Sequence, residues 1–149
     1  LNIVTEKYNQ AGGKIAFSMT FQDSTGEYPY DISSLQGFLP IDAISAPLGV
    51  FGTILPGAEV RPAATNDFPI LRTVGSIQYV RSLTENNIIA ENIYDLFDRD
   101  GIRLGNVAFR TRTKNLFFIG MPLNQCNGGQ ANVSVLLTKI FFEDFGVTP

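Results

Sequence analysis

The chain has no histidine and no tryptophan, and its single cysteine is Cys126. Without histidine there is no Ser-His-Asp or Cys-His catalysis within the chain, no histidine-ligated zinc and no two-histidine iron site. A lone cysteine excludes an internal disulfide but leaves the compartment open, because exported proteins also fold without disulfides. No apolar run approaches the roughly 20 residues of a membrane-spanning helix. Positive charge is scarce, with 11 Lys and Arg against 14 Asp and Glu, a net charge of −3 and a pI near 4.8. That balance argues against a nucleic-acid or anionic-membrane surface. The closest basic group, Arg110, Arg112 and Lys114, alternates along a strand and is expected on one solvated face rather than around an anion. The residues from Leu1 onward carry no basic-then-apolar leader, and the chain is expected to be a mature or excised portion of something longer.

What is present suits one domain with a sizeable core: 149 residues, 44% hydrophobic and 17% charged. Leu1, Val4, Tyr8 and Ala11 fall at helical spacing, and Gly12 follows as a C-terminal stop. Ile15 to Phe21 carries apolar residues at every odd position, as in a buried strand. Residues 22–30 form a loop, Asp31 to Gly37 one or two helical turns, and Phe38 to Asp42 an apolar loop packed across the sheet. Gly49 to Pro62, interrupted by Pro56-Gly57, is expected to be a loose hairpin. Ser76 to Leu83 alternates as a half-exposed strand. Asn86-Asn87 turns the chain into an extended run, Ile88 to Phe97. Asp98-Arg-Asp-Gly101 is a hairpin signal returning through Ile102 to Arg112. After a turn at Lys114-Asn115, Leu116 to Gly120 is bulky enough for a fully buried strand, ended by Pro122. Asn132 to Phe145 then forms an apolar helix that stops at Gly146.

Several side chains invite a chemical reading, each beside a plainer one. Cys126 lies in a polar loop where a thiol can react, yet only the helix starting near Asn132 is close enough to activate it; an ordinary free cysteine is favoured. Asp95, Asp98 and Asp100 with Gly101 form part of a calcium loop without its closing glutamate, which favours a hairpin turn with solvated acids. Asn132-Val-Ser134 matches a glycosylation acceptor, but Asn132 at a helix start favours an N-cap. Gly12-Gly13 and Gly128-Gly129 lack phosphate-loop spacing and fit chain reversals. Glu6, Asp23, Glu27, Asp31 and Asp42 show no pairing suited to acid–base work. No catalytic, cofactor-binding or metal-ligating residue is assigned.

Two stretches carry a resemblance. Tyr8 to Phe21, Tyr-Asn-Gln-Ala-Gly-Gly-Lys-Ile-Ala-Phe-Ser-Met-Thr-Phe, resembles the helix-Gly-Gly-strand segment of class I glutamine amidotransferase-like domains. Ile93-Tyr94 through Asp100, Gly105 to Arg110 and Phe117-Phe-Ile-Gly-Met-Pro-Leu123 resemble the C-terminal part of such domains in secreted bacterial multidomain proteins. The resemblance implies a fold without the activity: Cys126 is not at a strand-to-helix elbow, and no histidine can serve as base. The expected architecture is a single α/β domain over residues 1–149, with a partly parallel, flavodoxin-like sheet, terminal helices and an antiparallel β insert between about Gly49 and Arg112. The expected role is a non-catalytic structural or interaction module of an exported bacterial protein, extracellular or periplasmic. Its partners would be other domains of the parent, another protein or further copies of itself. A carbohydrate- or other ligand-binding domain using Tyr28, Tyr30 and Phe51 is the alternative, and an enzyme completed by residues outside the chain is a third.

Overall fold

Two tight turns decide how the second half of the chain folds. In the computed structural model, which describes residues 12–20, 39–63, 66–128 and 132–147, the Asp98 carboxylate accepts from the backbone nitrogens of Asp100 and Ile102, both at 2.9 Å. Gly101 there adopts φ 84°, the left-handed region that glycine tolerates. The second turn is held by the Thr111 hydroxyl, which accepts from the nitrogens of Asn115 (3.2 Å) and Leu116 (3.1 Å). Turns this short can only join antiparallel neighbours.

The strands are β1 (Ile15–Ser18), β2 (Ile41–Pro47), β3 (Thr53–Ile54), β4 (Glu59–Pro62), β5 (Leu71–Arg72), β6 (Ile77–Gln78), β7 (Arg81–Glu85), β8 (Ala90–Phe97), β9 (Arg103–Thr111) and β10 (Leu116–Ile119). Six of them form one sheet in the order β1-β10-β9-β8-β4-β5, and two ribbons, β2-β7 and β3-β6, lie outside it. The sheet curls far enough that its β5 edge meets the segment after β10. Arg72 N donates to Cys126 O at 3.3 Å, Gly128 N to Arg72 O at 2.8 Å and Val74 N to Gln125 O at 2.9 Å. A side chain at Gly128 would stand 2.9 Å from Arg72 O, so that approach requires glycine.

The flavodoxin-like α/β expectation is overturned. Among the described strands only β1 and β10 pair in parallel; every other pairing is antiparallel. A parallel sheet needs crossovers of a dozen or more residues, usually helical, whereas the segments joining β8, β9 and β10 are short turns. The antiparallel strands are therefore the body of the sheet rather than an insert. Besides a single 3-10 turn, Leu123–Gln125, the described residues hold one longer helix: an α-helical part, α1 (Asn132–Thr138), which runs on into a π-helical turn, Lys139–Asp144. Phe145 N donates to Ile140 O at 2.9 Å, five residues back, and Gly146 ends the helix at φ 70°, as expected. The leading helix over Leu1 to Ala11 and the segments 21–38 lie outside the described residues.

Local readings fared unevenly. β8, β9 and the all-buried β10 stand where alternation and apolar density placed them. The Gly49–Pro62 hairpin does not form: β3 pairs with β6, and β4 pairs with β5 and β8. The expected strand Ser76 to Leu83 is broken at Tyr79, where φ is 64°. The apolar stretch after Phe38 does pack on the sheet, but its second half is strand β2, with Leu39 and Ile41 buried.

Two apolar clusters hold the fold. Phe109 and Phe118, stacked at 5.3 Å, gather Leu39, Ile41, Ile44 and Leu83 from the β2-β7 side. The larger cluster joins Phe68, Tyr94, Phe117 and Ile119 of the sheet region to Leu136, Ile140 and Phe145 of the helix. Because Leu116, Phe117, Phe118 and Ile119 are all buried, β10 contributes to both clusters.

Candidate functional site

Arg110 lies opposite Glu91 on β8 and Phe117 on β10. Its Nε and Nη2 donate to Glu91, the former at 3.1 Å, and its Nη1 donates to both carboxylate oxygens of Asp144 at 3.0 and 3.1 Å. The guanidinium carbon stands 5.4 Å from the centre of the Phe68 ring, within reach of a cation–π contact. Burial disfavours the charge, but the hydrogen bonds to Glu91 and Asp144 outweigh it and hold the Arg110 pKa above its ordinary value. The solvated basic face is therefore corrected at Arg110, while Arg112 and Lys114 are exposed as expected. Arg110 is a half-buried clamp between sheet and helix; Arg112 donates to Asn87 O, and Lys114 has left the strand at φ 59°.

A cleft of about 380 Å³ adjoins this clamp, lined by Asn66, Asp67, Arg110, Lys114 and Glu143 among others. Lys139 Nζ lies 3.1 Å from Asp67 and 3.6 Å from Glu143, and its hydrogen bond holds the Asp67 carboxyl below the usual carboxylate range. An incoming anion would meet a guanidinium already flanked by two carboxylates, so the cleft serves structure better than anion binding.

Cys126 is buried, with Sγ 3.5 Å from Pro122 O, and burial pushes its thiol up to about 12. The free-cysteine reading holds and the reactive one does not. Iodoacetamide at pH 8 is expected to leave the native chain unmodified and to label it fully in denaturant, read by intact mass. The raised pKa also sets a direction: from pH 9 upward the unfolded thiol ionises while the folded one does not, so stability falls as pH climbs towards 12. Tyr94, raised by burial, adds to the same alkaline loss.

The acidic hairpin resolves as a turn. Asp98 caps backbone nitrogens, and Asp95 pairs with Asn92 (3.0 Å) and Arg103 (2.9 Å). Among the described residues no three of Asp, Glu, His or Cys converge on a metal position. Asn132 opens α1, but its amide donates to Ile70 O at 2.6 Å, tying the helix start to the segment before β5 rather than capping the helix. Asp42 is exposed on β2, while Glu6, Asp23, Glu27, Asp31, Tyr28, Tyr30 and Gly129 lie outside the described residues.

Two features escaped the sequence reading. Phe51, named only as one loop aromatic, is fully exposed at the tip of the Val50–Thr53 turn. Val50 and Thr53 exchange backbone hydrogen bonds of 3.0 Å each, and both central residues have positive φ, 52° at Phe51 and 74° at Gly52. That is a type I′ turn, whose first central position favours Asn, Asp or Gly. A phenylalanine directly before Gly52 was the available signal. Beside it opens a cavity of about 270 Å³ floored by Val50, Ile54, Leu55, Ala58 and Leu104 and rimmed by Asp98 and Asp100. The second feature is Tyr79, whose strain nothing in the alternation announces. No protein-family model, curated protein or solved structure matches the chain.

Proposed function

We propose that the chain is a non-catalytic interaction module that docks on another protein domain through the Phe51 turn. The carrying observation is Phe51 itself: a fully exposed phenyl ring at φ 52°. A left-handed conformation costs an ordinary residue about 1–2 kcal/mol, and the ring buries nothing in return. Val50 and Ile102, both exposed, extend the apolar surface from the two loops that border the neighbouring cavity. Aromatic anchors of this kind dominate protein–protein contacts. The two segments that resemble amidotransferase-like domains lie side by side: β1 pairs with β10, and Ser18 Oγ bridges Met121 O and Leu123 N at 2.8 Å each. The proposed lineage of these segments rests on the resemblance alone, without the flavodoxin-like sheet. An exported bacterial parent remains part of the proposal through the resemblance.

Phe51→Asn separates fold from function. Asn suits the turn, so the variant should unfold about 0.5–1 kcal/mol later in urea than wild type. Placed in the parent polypeptide, wild type should protect residues 48–53 from hydrogen exchange and the variant should not. Equal exchange in the isolated chain and in the parent sinks the docking reading.

A further inference from the structure

A second concavity, of about 420 Å³, lies away from the Phe51 turn's cavity, between the β3-β6 ribbon and the turn that follows β10. Thr20, Thr53, Ser76, Gln78, Tyr79 and Gln125 are among the residues lining it, and no charged residue lines it among the described residues. Ile77 is buried in the larger cluster while Ser76 and Gln78 on either side of it are exposed, the alternation of a strand. The positive φ of 64° at Tyr79 then ends β6 and re-aims the chain before β7. An aromatic residue in that region is an outlier that the surrounding structure must enforce. The residues lining the groove thus include one tyrosine, two glutamines, a serine and two threonines. Ser76, Gln78, Tyr79 and Gln125 are engaged in no side-chain hydrogen bond with other described residues.

We infer that this groove binds a neutral saccharide. The absence of lining charge disfavours phosphate, carboxylate and ammonium ligands, which need an opposite charge or several aimed donors to replace their water. A sugar presents adjacent hydroxyls that both donate and accept. A glutamine amide supplies one acceptor and two donors, and Ser, Thr and Tyr hydroxyls act either way. The tyrosine ring offers an apolar face to the C–H side of a pyranose, with its hydroxyl left for the rim. The Gln125 amide occupies space that Gly75 leaves open, its Oε1 lying 2.9 Å from where a side chain at Gly75 would begin. This site is separate from the docking turn and stands or falls without it.

The test is an amide-resolved NMR titration of the chain with neutral gluco-, manno-, galacto- and xylo-oligosaccharides, with oligogalacturonate and chito-oligosamine as charged controls. At least one neutral series should shift residues 53, 76–79 and 125 in a saturable way below about 10 mM. Tyr79→Gly keeps the backbone conformation accessible and should weaken binding by about tenfold or more. Gly75→Ala, which touches no ligand, should weaken it several-fold by displacing Gln125, whereas Phe51→Asn should leave it unchanged. No saturable shift with any neutral saccharide, equal shifts with the charged controls, or binding indifferent to Tyr79→Gly in a variant with a native spectrum would each overturn the inference. Loss of docking in Phe51→Asn with saccharide binding intact would leave it standing.

Discussion

Arg110→Ala should destabilise the chain by about 3–5 kcal/mol, read as a shift in the urea midpoint at an unchanged slope. The reason is what the substitution leaves behind. Asp144 keeps only 4% of its side chain exposed and Glu91 33%, and both face the site the guanidinium vacates. Removing one partner of a buried ion pair strands the other charge, which costs far more than the pair contributes while intact. The partial exposure of Glu91 puts the expected value towards the lower end of that range. Arg110→Lys keeps the charge but loses the fork that meets both carboxylates, and should cost about half as much. A double-mutant cycle with Asp144→Ala should give a coupling of about 1–3 kcal/mol; additivity would show that the clamp does not hold the helix to the sheet. The π-helical turn belongs to the same device, since Asp144 is its last residue, and such turns often re-aim a side chain at the expense of helix regularity.

How much of this was legible follows the range of the interactions. β8, β9 and β10 announced themselves because alternation, the Asp98–Gly101 turn and the dense Leu116–Ile119 run are all local signals. The closing helix and its stop at Gly146 were local too. The layer architecture was not, because it depends on which strands pair. The helix-Gly-Gly-strand resemblance suggested a parallel sheet, but the short connections on either side of β9 leave only β1 beside β10 in that sense. Arg110 was misread for a similar reason. Its alternation with Arg112 and Lys114 is periodic, and periodicity cannot show that Glu91, 19 residues earlier, and Asp144, 34 residues later, close over one member of the set. Tyr79 is the converse case: the sequence alternates through it, and only the backbone reveals the break.

Phe118→Ala should cost about 3–5 kcal/mol, enough to bring a chain of ordinary stability near unfolding at room temperature. Phe118 is wholly buried, stacks on Phe109 and meets Phe17 at 6.2 Å, so its ring joins β1, β9 and β10 to the cluster that includes the β2-β7 residues Ile41, Ile44 and Leu83. A ring held from several elements leaves neighbours that cannot collapse together, and the residual cavity adds to the lost burial. Phe118→Leu, closer in volume, should cost about 1.5 kcal/mol or less. A comparable loss in both variants would mean that the aromatic stack rather than cavity volume governs this cluster. The contrast with Phe51 gives the pair its force. One phenylalanine is expected to destabilise strongly on removal and the other to stabilise slightly, although composition counts them alike. If Phe51→Asn also destabilised by several kcal/mol, Phe51 would belong to the core and the docking surface would lose its anchor. Opposite signs at the two positions would separate the apolar side chains that hold this fold from the one that it holds out.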